Sequence, residues 1–91
     1  MKKTVKQQEP KVLRTSRYRS AFLKPTTFKA RDGKSVYISS DFHEKVSRIV
    51  FMLGDGKITL ADYLYNVLKQ HFEDFADEIN TIHASKQKPI L

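Results

Sequence analysis

Phe42, Val46, Ile49, Val50 and Leu53 recur at spacings of four, three, one and three. On a helix these positions form one apolar stripe, so the pattern predicts a helix over residues 40–53. Ser39 or Ser40 can cap its N-terminus. Asp41 with Lys45, and Glu44 with Arg48, are i,i+4 pairs in the favourable order. Gly54-Asp55-Gly56 is a stop signal. A second stripe runs through Leu60, Leu64, Val67, Leu68, His71, Phe72 and Phe75, and continues to Ile79 and Ile82. Thr59 as N-cap with Asp62 three residues later is a variant of the capping box, and Ile58 with Tyr63 suits a hydrophobic staple. Neither Gly nor Pro interrupts residues 59–84. One helix of roughly 39 Å is predicted there, followed by a frayed tail over 85–91.

Ahead of the helices the period changes from 3.6 to 2. Val36 and Ile38 alternate with Ser35 and Tyr37, which predicts a strand over 34–39. Thr26–Ala30 is a second, shorter candidate. Arg31-Asp32-Gly33-Lys34 between them suits a hairpin turn, although an extended arm that bends at Gly33 has the same sequence signature. Residues 1–24, with Pro10 as a breaker and no amphipathic period, read as a disordered basic arm. Two helices and one strand do not enclose a core, so the fold class expected is α+β, mostly helical, as a homodimer. The strand would pair with its copy. The expected dimer core is Val36, Ile38, Phe42, Val46, Ile49, Val50, Leu64, Val67, Leu68 and Phe72.

The stripe pattern has a close parallel in a known superfamily. Ser35-Val36-Tyr37-Ile38, Ser39-Ser40-Asp41-Phe42-His43-Glu44-Lys45-Val46, Gly54-Asp55-Gly56-Lys57 and Thr59-Leu60 resemble the ribbon-helix-helix DNA-binding superfamily over roughly residues 33–75. Val36-Tyr37-Ile38-Ser39 with Phe42-His43, Ile49-Val50, Tyr63-Leu64-Tyr65-Asn66-Val67-Leu68 and His71-Phe72 also resembles a family of small proteins encoded in conjugative transposons of Bacteroides-type bacteria. The resemblance implies an intermolecular two-stranded antiparallel ribbon, with the strand at 26–30 as an optional extension. It implies a ribbon-helix-helix domain over 25–84 that enters the DNA major groove. Outward strand residues would read bases, here Gly33, Ser35 and Tyr37, with Lys34 at the ribbon's end. Backbone N–H groups of Lys57, Ile58 and Thr59 would clamp a phosphate. The outward strand face holds no Arg, Lys, Asn or Gln, the residues best suited to bidentate base contacts. Weak readout with affinity supplied elsewhere fits these residues better.

The charge distribution shows where that affinity would come from. The chain has 91 residues and a formal charge of +7. Residues 1–32 hold ten Lys/Arg against two acids, while residues 33–91 hold seven against eight. Arg14, Arg17, Arg19, Lys24, Lys29 and Arg31 lie in the basic part, interleaved with Tyr18, Phe22 and Phe28. Such a segment suits phosphate or an acidic partner; a solubilising tail is the plainer alternative.

Other chemistries find little support. Cys is 0, which excludes disulfides, Cys-ligated zinc and a thiol nucleophile. His43, His71 and His83 form no HxxxH or HExxH pattern. Glu73, Asp74, Asp77 and Glu78 crowd one segment but read as a solvated helix face. Gly54 and Gly56 do not make a phosphate-binding loop. No apolar run reaches the roughly 18 residues of a membrane span, and no secretory h-region follows the basic start. The sequence therefore predicts a non-enzymatic, dimeric double-stranded-DNA-binding protein of the cytoplasm, associated with the nucleoid. It would need no cofactor or metal and have no membrane partner. Its expected role is transcriptional regulation, maintenance or transfer of a conjugative element, with an element-encoded protein as a further candidate partner. The alternative is an interaction module that uses the long C-terminal helix, with the basic arm on an acidic partner.

Overall fold

The structure, a computed structural model, describes residues 10–86. Three α-helices account for most of them: α1 (Lys11–Phe22), α2 (Ser40–Leu53) and α3 (Leu60–Lys86), with a 3-10 turn at Ala30–Asp32. Both α1 and α2 pack against α3, which forms the spine.

No strand is present among the described residues, so the expected α+β class and its antiparallel ribbon are corrected to an all-helical fold. Residues 34–39 carry no regular secondary structure, and all of them are exposed. Period-2 alternation over so few residues is shared by a strand and by a linker; only a hydrogen-bonded neighbour makes the difference, and no strand runs alongside among the described residues. The candidate strand at 26–30 is likewise absent. Thr26 and Phe28 turn toward α3 instead, and Asp32 N–H and Gly33 N–H donate to Lys29 O and Ala30 O. Gly33 is extended (φ −109, ψ −165), whereas a type I′ hairpin requires positive φ at its two central residues.

The expected disorder of residues 1–24 is also corrected where it can be tested. Residues 1–9 lie outside the described residues, but 11–22 are helical. α1 starts after Pro10, whose carbonyl accepts from Arg14 N–H at 3.1 Å, and Pro25 follows its end. It has no buried residue, which is why no apolar period announces it.

The other two helices begin where local chemistry dictates. Ser39 Oγ accepts from Phe42 N–H at 3.1 Å and caps α2. The Asp41–Lys45 pair, 2.8 Å apart, is exposed at both ends and adds little. Gly54 ends α2 because a Cβ there would stand 2.5 Å from Val50 O and 2.7 Å from Ile58 Cγ1. Asp55 (φ 55) and Gly56 (φ 71) then reverse the chain. At the start of α3, Asp62 N–H donates to Thr59 Oγ1 and Thr59 N–H donates to Asp62 Oδ2, both at 3.0 Å. That is a closed capping box. α3 bends at Phe75 (φ −123, ψ 19) and runs on to Lys86, two residues past the expected end.

The centre is small and unusually polar. Among the described residues the buried apolar side chains are Ile58 and Tyr63, and beside them Asp62 and Asn66 are buried too. Asp62 Oδ1 takes both the Thr26 hydroxyl (2.7 Å) and the Thr26 N–H (3.2 Å), tying the linker to α3. Thr26 Oγ1 in turn accepts from Phe28 N–H at 3.0 Å, and the Phe28 ring stacks on Tyr65 at 5.8 Å. Of the expected dimer core, Val46, Ile49, Val50, Leu64 and Val67 are half-buried within one chain, while Val36, Ile38, Phe42, Leu68 and Phe72 are exposed.

Burial pushes the Asp62 carboxyl up, but the hydrogen bonds from Thr59 and Thr26 outweigh it and hold the group below its ordinary value. Its folded pKa is therefore lower than the unfolded value of about 3.9. The stabilisation is complete above that pH and is lost as pH falls through the folded value. Asp62→Asn should lower stability at neutral pH by about 1–3 kcal/mol, the scale of hydrogen bonds to a charged group. In thermal unfolding, the gap between the two proteins should narrow below about pH 4. A gap that stays constant down to pH 2 would show that the carboxylate charge contributes nothing.

Candidate nucleic-acid interface

α1 carries Lys11, Arg14, Arg17 and Arg19, no acid, and no buried residue. Lys24, Lys29 and Arg31 follow on the linker and are exposed as well. Between Glu9 and Asp32 the chain has no acidic side chain. Six of the sequence-predicted contact residues, Arg14, Arg17, Arg19, Lys24, Lys29 and Arg31, thus lie on one continuous stretch, half of them on an ordered helix of about 18 Å. Arg14, Ser16, Arg17 and Ser20 line an open groove of about 700 Å³ between α1 and α3, with Gln70 and Asp74 contributed by α3. Gln70 Nε2 donates to Asp74 Oδ1 at 2.9 Å.

A polar latch fixes α1 in place. The Tyr18 and Tyr63 hydroxyls hydrogen-bond to each other, and the Tyr18 ring lies 4.9 Å from Phe22. Burial, reinforced by the bond to Tyr63, raises the Tyr18 pKa above its ordinary value. The Tyr18 phenol therefore stays neutral across the physiological range and keeps its bond to Tyr63. Asn66 Nδ2 donates to Phe22 O (3.1 Å) and Lys24 O (2.9 Å). Carbonyls at the C-terminus of a helix lack intrahelical partners, so Asn66 completes α1 from a different helix. Asn66 Oδ1 is buried without a hydrogen-bond partner, a cost the latch carries.

The remaining predicted contacts are placed elsewhere. Lys34, Ser35 and Tyr37 sit on the extended segment before α2, with Tyr37 fully exposed. Of the backbone N–H groups expected to clamp a phosphate, at Lys57, Ile58 and Thr59, two are engaged within the chain. Lys57 N–H donates to Gly54 O at 2.9 Å, Thr59 N–H is taken by Asp62, and Ile58 is buried. The capping box that marks this helix start in the sequence is what occupies it. His71 rests against the rings of Phe72 and Phe75. Among the described residues no group of three or more His, Cys, Asp or Glu is placed to hold a metal ion, and no described helix is long and apolar enough to cross a membrane.

A family model described as "Protein of unknown function (DUF3408)" matches residues 1–86. The chain belongs to DUF3408. No curated protein and no solved structure matches it. For this DUF3408 chain the decisive residues beyond the basic ones are Tyr18, Thr26, Tyr63 and Asn66, which no motif in the sequence assigns to a site. Asn66 left one signal, an amide between the apolar positions Leu64 and Val67 of a helical stripe. A polar side chain in such a place is retained where it finds a partner.

Asn66→Ala should therefore release α1 rather than unfold the DUF3408 domain. Amides of residues 11–22 should lose hydrogen-exchange protection, while those around Ile58 and Tyr63 keep most of theirs. Uniform loss across all three helices, or none in α1, would contradict a local latch.

Proposed function

We propose that this DUF3408 chain binds double-stranded DNA without catalysing a reaction, through α1 and the basic linker behind it. The observation that carries this reading is an ordered helix with four Lys/Arg, no acid and no buried side chain. α1 is attached to the body by Tyr18 and by the carbonyls at its end, and its Lys and Arg residues are exposed. Phosphate contacts of this kind supply affinity and fix orientation without specifying sequence. A helix of this size fits the major groove, roughly 12 Å wide. Ser16 and Ser20 are small hydroxyl donors beside the arginines.

The opposite charge is kept at a distance along the chain. Glu73, Asp77 and Glu78 lie in the second half of α3 and would repel a duplex there, while Asp74 borders the groove that Arg14 and Arg17 line. The resemblance to proteins of conjugative transposons suits a role in regulation, maintenance or transfer of such an element.

Replacing Arg14, Arg17 and Arg19 together by Ala should reduce affinity for a random-sequence duplex at least tenfold at low salt. The dependence of log K on log salt should flatten by about 0.9 for each phosphate that is no longer neutralised. Fluorescence anisotropy at about 50 and about 200 mM salt checks both, with circular dichroism confirming that helix content is kept. Unchanged affinity and slope would contradict the reading, and so would tight binding that ignores salt.

A further inference from the structure

The longest helix is incompletely covered. Leu68 (54% exposed), Phe72 (56%), Ile79 (41%) and Ile82 (61%) recur along α3 at spacings of four, seven and three residues, to either side of its bend at Phe75. Residues 76–86 are all exposed, so no residue of the last three turns of α3 is buried by the other described residues. An isolated helical segment of that length is marginal in water, and an apolar face is stabilised by packing against a second surface.

We propose that this face of α3 is the docking surface for a second copy of the same chain, joined about a two-fold axis. Outside the described residues the sequence is poor in apolar side chains. Positions 1–9 and 87–91 offer only Met1, Val5, Ile90 and Leu91 as apolar side chains. α1 holds α3 through Tyr63 and Asn66, and Tyr65 is engaged by Phe28. The area matches self-association. The exposed parts of Tyr65, Leu68, Phe72, Ile79 and Ile82 amount to roughly 500 Å². A two-fold contact uses that patch twice and removes about 1,000 Å² from water, the lower bound for a specific interface. The same contact supplies what a single chain lacks, since Ile58 and Tyr63 are its buried apolar side chains among the described residues. A two-fold axis also makes the patch its own complement, so no second apolar partner has to be invoked.

Sedimentation velocity of the full chain in the absence of DNA tests this directly. The expected result is a species of twice 10.6 kDa that dissociates on dilution, with an unfolding midpoint that rises with protein concentration. Ile79→Glu with Ile82→Glu should yield the monomer and keep the helix signal of the body, because both positions are exposed. The absence of cysteine permits a second, independent measurement. Ile79→Cys should form an intermolecular disulfide on mild oxidation, and Asn80→Cys, one position round the helix, should do so far less. A wild-type monomer at every concentration overturns the proposal. So does a double variant that remains dimeric, or equal cross-linking at both positions. Association only with a different protein, from a monomeric chain, overturns it as well.

Discussion

Asp62 accepts hydrogen bonds from two segments that are far apart in sequence, and the arrangement of the whole chain depends on it. One carboxylate oxygen closes the cap of α3 through Thr59 N–H. The other receives the hydroxyl and the N–H of Thr26. The side chain that starts the spine helix thus also fixes where the linker from α1 passes over it. Asn66, one turn further along α3, repeats the device by holding the carbonyls of Phe22 and Lys24. Buried polar groups of this sort stabilise only when their partners are in place. Position is therefore specified more sharply than an apolar contact would specify it, and the small apolar content of the centre is less of a handicap.

What the sequence makes legible is local. Ser39, Thr59 and Asp62 announce helix starts because a cap and its N–H lie within three residues of each other. The stripes from Phe42 to Leu53 and from Leu60 onward locate the two long helices for the same reason. Thr26 with Asp62, and Asn66 with Phe22, are 36 and 44 residues apart, and no periodicity encodes such a pair. α1 is hidden because Tyr18 and Phe22 are its main links to the spine, leaving four charged residues to dominate the pattern. The expected strand at Val36–Ile38 shows the reverse. Its alternation is real, but a strand is defined by its neighbour, and the segment has none alongside it.

The site is half legible for a related reason. Charge is a property of the sequence, so Arg14, Arg17 and Arg19 stand out as candidates from residue type alone. Their value as a surface depends on α1 being a helix and being latched, and neither property leaves a mark in the pattern. The helix start at Thr59 misleads in the opposite sense. A capped N-terminus looks like an anion site, yet the cap engages the N–H groups of Thr59 and Asp62 that an anion would compete for.

Labour is divided along α3. Its Tyr63–Asn66 side fixes a basic helix, and the bases of that helix meet the duplex under the function proposed for it. Amide hydrogen exchange of the full chain with and without duplex DNA tests this most directly. Added protection should appear over residues 11–22 and the linker to Arg31, and residues 76–86 should be unaffected by DNA. Protection confined to α3, or none in α1 at saturating duplex, would contradict it.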